Sequence, residues 1–170
     1  MRAVDRVTAI AMARATVNVP GIRAKWRNAL AHHPDVAVRE YLARLPGSAK
    51  NCDYQKALAQ DKARTVRSSL ARCRGYVSPS ALAELAVGLD MSVKGSVAER
   101  SDLPEVVWRA LAKDHSQAVR LKVARSDHAS VETLRLLCAD PSAQVRNAVL
   151  TNPRTPSDGR VEVALRTHSE

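Results

Sequence analysis

Apolar residues fall along this chain in short bursts at helical spacing, separated by polar turns, and the bursts recur. A Val followed by Arg or Lys stands at Val38-Arg39, Val66-Arg67, Val93-Lys94, Val119-Arg120 and Val145-Arg146, at intervals of 28, 27, 26 and 26 residues. Aligned on that Val, the position eight residues earlier reads Leu30, Leu58, Leu85, Leu111 and Leu137 without exception. The next column reads Ala31, Ala59, Ala86, Ala112 and Cys138. Four residues after the Val stand Leu42, Leu70, Val97, Val123 and Val149, followed by Ala43, Ala71, Ala98, Ala124 and Leu150. Chance does not align so many columns, and periods of this length mark a repeat protein.

Each repeat reads as two helices. The first closes near the Leu-Ala pair, as over residues 104–113 and 130–139. The second opens around Val-Arg, where the Val and the apolar residue four later form one buried stripe. Asp102 and Ser130 read as N-caps, and Ser78-Pro79 as a helix start. One such hairpin cannot bury its own stripe, so hairpins must stack. The expected fold is all-α: a right-handed α-solenoid of about five to six two-helix repeats of 26–28 residues, in a single domain over residues 1–170. Residues 1–19 read as a degenerate N-terminal cap, in which Met12-Ala13-Arg14 matches Val123-Ala124-Arg125. Residues 20–157 carry five repeats, and residues 158–170 a C-terminal capping helix and tail.

The pattern Leu-Ala-x-Asp-x4-Val-Arg-x2-Val-Ala resembles the short HEAT-like repeats and the variant leucine-rich repeats of bacterial proteins, over about residues 20–157. In HEAT-type repeats an Asp at the inter-helix turn and an Arg six residues later form a ladder. The resemblance therefore implies structural pairs Asp61/Arg67, Asp114/Arg120 and Asp140/Arg146, joined by bidentate guanidinium–carboxylate contacts. Two repeats depart, with His33 before Arg39 and Gly88 before Lys94. Variant leucine-rich proteins can carry a cysteine cluster for an iron–sulfur centre. This chain has no such cluster, and neither cofactor nor metal is expected. DNA glycosylases built from HEAT-like repeats use an aromatic pocket with a carboxylate. Trp108 with Asp114 superficially resembles this, but at a poor helical angle and with Asp114 claimed by the ladder. The expectation is a protein that is not an enzyme.

Composition narrows the classes further. Aromatic residues are 3% of the 170, with no Phe, so the core is built of Ala, Val and Leu, which suits close helix packing. No apolar run reaches the roughly 20 residues of a membrane span. Cys52, Cys73 and Cys138 are odd in number and show no CxxC spacing, which excludes a disulfide scaffold and fits a reducing, cytoplasmic setting. His32 and His33 are adjacent and point about 100° apart on a helix, so they cannot share a metal.

Charge supplies the functional clue. Lys and Arg number 27 against 17 Asp and Glu, for a net +10. Residues 1–85 hold fifteen basic and six acidic residues, net +9; residues 86–170 hold twelve and eleven, net +1. A field concentrated in one half fits a polyanion or an acidic partner. Six residues after the aligned Val stand Arg44, Arg72 and Arg125, with Arg14 in the cap, while Glu99 and Thr151 break the series. The expected nucleic-acid-binding set is Arg14, Arg23, Lys25, Arg27, Arg44, Lys50, Lys62, Arg64, Arg72 and Arg74. Duplex DNA held through its phosphates, with weak sequence preference, is the expected ligand. An adaptor for an acidic protein is the alternative. No membrane or small-molecule partner is expected. Arg23-Ala-Lys-Trp-Arg27 also interleaves an aromatic with cations, as in single-strand binders. The Trp26 column, however, reads Tyr54, Ala81, Val107 and Thr133, which predicts burial. Trp108 shares the Arg27 column and is expected to be partly exposed.

Overall fold

A computed structural model describes residues 5–15, 23–47 and 52–167. Among these the chain is helical, with no named strand. It divides into two compact units, Met1–Leu85 and Ala86–Glu170. No helix among the described residues is long and apolar enough to cross a membrane.

In the first unit the helices are α1 (Arg6–Ala15), α2 (Arg23–Ala31), α3 (Val36–Arg44), α4 (Asp53–Ala59) and α5 (Arg64–Ala71), with most of α6 (Pro79–Val87). Second helices pack on second helices, α1 on α3 and α3 on α5, and α2 packs on α4. Within repeats α2 meets α3 and α4 meets α5. The second unit has α7 (Met91–Ala98), α8 (Glu105–Ala112), α9 (Gln117–Arg125), α10 (Val131–Leu137), α11 (Ala143–Thr151) and α12 (Ser157–Thr167). There α7 packs on α9 and α9 on α11, α8 packs on α10, and α12 lies against α11.

The aligned columns are the core. Val38, Leu42, Val66, Leu70, Val119, Val123, Val145 and Val149 are all fully or nearly fully buried. Small Ala residues in the adjoining columns let helices approach closely enough for these stripes to interlock. Helix starts are set locally. Asp35 accepts from the Ala37 amide, Ser130 from Thr133, and Ser78 Oγ from Ala81. The expected cap at Asp102 is not formed. Its carboxylate is held by Arg100 at 2.7 and 2.8 Å, and α8 is preceded by Pro104.

The hairpin turns repeat one device. Asp61, Asp114 and Asp140 each accept from the amide two residues on, at 2.8–2.9 Å. The arginine six residues after each turn position donates to the carbonyls of its own turn. Arg39 takes those of His33 and Pro34, Arg67 those of Asp61 and Lys62, Arg120 those of Asp114 and His115, and Arg146 those of Asp140 and Pro141. The Asp carboxylates go to the cation of the preceding repeat instead. Arg39 holds Asp61 at 2.6 and 3.1 Å, Lys94 holds Asp114 at 2.5 Å, and Arg120 holds Asp140 at 2.7 and 3.2 Å. The pairs expected within a repeat thus meet through the backbone, and the charged rung runs between repeats.

Candidate nucleic-acid interface

Arg14, Arg44 and Arg72 occupy matching places at the C-terminal ends of α1, α3 and α5, three helices packed in series, and all three are exposed. Arg14 Nε donates to the Tyr41 hydroxyl at 2.9 Å, and its guanidinium lies over the Tyr41 ring, 5.7 Å from the centroid. Arg44 pairs with Glu40 one turn back on α3 and reaches Ser69 Oγ at 3.4 Å. Solvated (i,i+4) pairs of this kind contribute only about 0.3–0.5 kcal/mol, so the guanidinium can exchange Glu40 for a phosphate at little cost.

The other expected site residues divide by the end of the helices they occupy. Lys25 is exposed near the start of α2, which opens at Arg23, whose side chain lies outside the described residues. Arg74 is exposed in the segment that follows Arg72. Lys50 lies outside the described residues. Lys62 and Arg64 are exposed at the α4–α5 turn, the opposite end of α5 from Arg72, about 12 Å away along an eight-residue helix. They do not join the group at the C-terminal ends.

Arg27 is a correction: it is buried, with 4% of its surface exposed, rather than displayed at the surface. Its Nη1 donates to the Pro46 carbonyl at 3.2 Å and to the Tyr54 hydroxyl at 3.0 Å, with the guanidinium 5.3 Å from the Tyr54 ring centroid. Among the described residues its Nε finds no acceptor. The physical reason is its column, in which Gln55, Leu82, Trp108 and Leu134 are all buried.

The tryptophans exchange their expected roles. Trp108 is buried at 3%, and Trp26 is 40% exposed. Trp26 sits on α2, whose first-helix neighbour among the described residues is α4 alone, so its column is covered on one side only. Trp108 is buried, and Asp114 is engaged by Lys94.

Electrostatics support the ladder as scaffold. Burial raises the Asp61 carboxyl, but Arg39 and the Ala63 amide outweigh it and hold the group below the usual 3.8. Asp114 follows the same balance, with Lys94 and the Ser116 amide prevailing over burial. Among the described residues no cluster of three or more His, Cys, Asp or Glu is placed to hold a metal.

Family models, curated proteins and solved structures give no match to this chain.

Proposed function

We propose that this chain is a non-enzymatic, nucleic-acid-binding repeat protein whose units are short right-handed α-solenoid stacks of HEAT-like hairpins. The observation that carries the reading is the placement of Arg14, Arg44 and Arg72 at equivalent ends of three packed helices, within the half of the chain that is net +9. The ladder arginines of the first unit do not join this group, because Arg39 is held by the Asp61 carboxylate and Arg67 by the carbonyls of its own turn. Spacing between packed helices is about 8–10 Å, so the three guanidinium groups can meet phosphates several nucleotides apart. Phosphate contacts of this kind carry affinity and little sequence preference.

A second reading, a protein–protein adaptor, draws on the exposed apolar turn of the second unit. There Val87, Leu89 and Met91 are 70%, 94% and 57% exposed. Mobility-shift titration of the purified chain with nucleic acid at low salt tests the first reading directly. Retarded nucleic acid supports it, and no retardation at any protein concentration below about 10⁻⁴ M refutes it.

A further inference from the structure

We infer that the inter-repeat edge of the first unit takes single-stranded rather than duplex nucleic acid, with bases stacking on Trp26 and Tyr76 and phosphates on Lys25, Arg72 and Arg74. The inference rests on the nucleic-acid reading above and specifies its ligand.

Three segments meet on this edge. Arg27, next to Trp26, donates to the Pro46 carbonyl at 3.2 Å. Pro46 lies against Gly75 so closely that a Cβ there would stand 2.5 Å from Pro46 Cβ. Gly47 then pairs with Tyr76 in an isolated antiparallel bridge. Gln55 Nε2 donates to the Tyr76 carbonyl at 2.9 Å while its Oε1 accepts from the Ser78 amide at 2.8 Å, which fixes the second end of the arrangement. This chain of contacts links Arg27, Pro46, Gly47, Gly75 and Tyr76.

What the edge displays is selective. The chain has two Trp and three Tyr. Tyr54 and Trp108 are buried, and Tyr41 is partly covered and engaged by Arg14. Of the two aromatic side chains that are exposed, Tyr76 at 37% belongs to this chain of contacts and Trp26 at 40% precedes its Arg27, with exposed Lys25, Arg72 and Arg74 beside them in sequence. Rigid aromatic faces interleaved with cations match a strand whose bases are unpaired and can turn outward. In a duplex the base faces are stacked within the helix, so exposed rings offer it nothing beyond the charge.

Intrinsic fluorescence tests this directly, because Trp108 is buried and Trp26 is the solvent-facing reporter. An oligodeoxythymidylate of about twenty nucleotides should quench emission as it binds, and a duplex of equal length should bind more weakly and leave emission unchanged. Trp26→Ala should lower oligodeoxythymidylate affinity about tenfold with duplex affinity held within about twofold, and Trp26→Tyr should recover most of the loss. Tyr76→Ala, which leaves the reporter in place, should weaken binding while retaining the quench. Salt-sensitive binding of the oligonucleotide with unchanged emission and no effect of Trp26→Ala overturns the single-strand inference and leaves the polyanion reading standing. Tighter binding of the duplex does the same. Failure of both nucleic acids to bind at low salt removes the polyanion reading and this inference with it.

Discussion

Arg39 and Asp61 stand 22 residues apart and form a two-point ion pair between successive repeats, Nε to Oδ2 at 2.6 Å and Nη2 to Oδ1 at 3.1 Å. Both side chains are largely buried, so the geometry is held by packing as much as by charge. Each half also serves a turn. Arg39 caps the carbonyls of its own turn, and Asp61 orders the next one through the Ala63 amide. Removing one partner therefore strands the other and loosens two turns.

Asp61→Ala should cost about 3 kcal/mol in urea unfolding, since breaking one side of a buried pair leaves an uncompensated charge. Arg39→Met should cost at least as much, because it keeps the packing of the stem but leaves the Asp61 carboxylate buried without its cation and the His33 and Pro34 carbonyls without their donor. Negligible losses in both would show that the rung is not coupled to the turns.

The same pairs set the acid limit of the fold. The carboxyls of Asp61 and Asp114 lie below the usual 3.8 in the folded chain, so their contribution is complete above that value and is lost as pH falls through the lowered folded values. The melting temperature should therefore hold between about pH 5 and 7 and fall below about pH 4. Asp61→Asn should melt lower at neutral pH and lose less on acidification than the native chain.

Tyr54→Phe isolates the buried guanidinium of Arg27. The substitution keeps the ring beneath the cation and deletes the hydroxyl that accepts from Nη1 at 3.0 Å. A loss of about 1–3 kcal/mol in unfolding free energy is expected, the cost of an unmet buried donor. An unchanged value would mean that the Pro46 carbonyl and the ring face suffice.

Glu40 competes with any phosphate for Arg44. Glu40→Gln removes the competitor and adds one unit of positive charge to the surface, and nucleic-acid affinity should rise about two- to fivefold at low salt. A fall in affinity would show that the pair orients Arg44 productively rather than occupying it.

Much of the all-helical organisation was legible because small apolar residues recur in strict columns, and those columns are the buried ones. The direction of the ladder was not. An Asp and an Arg six residues apart suggest a contact within the turn, whereas the side chain reaches the turn carbonyls and the carboxylate faces the preceding repeat. His33 and Gly88 made the series look defective, although Arg39 and Lys94 each find their Asp one repeat later. For Arg27 the signal was available, since Gln55, Leu82, Trp108 and Leu134 in its column are a core set; its charge argued for the surface and the column prevailed. For Trp26 the column misled, because coverage by neighbouring helices is a property of position in the stack. Nothing in residue periodicity reports that.

Whether the aligned arginines hold phosphates is decided by nucleic-acid binding across a salt series, for the native chain and for the Arg44→Ala/Arg72→Ala variant. The logarithm of the affinity should fall linearly with the logarithm of salt concentration, and the variant should flatten that slope by about 0.7–0.9 for each phosphate no longer engaged. An affinity indifferent to salt, or the same slope in both proteins, would show that these guanidinium groups do not hold a polyanion.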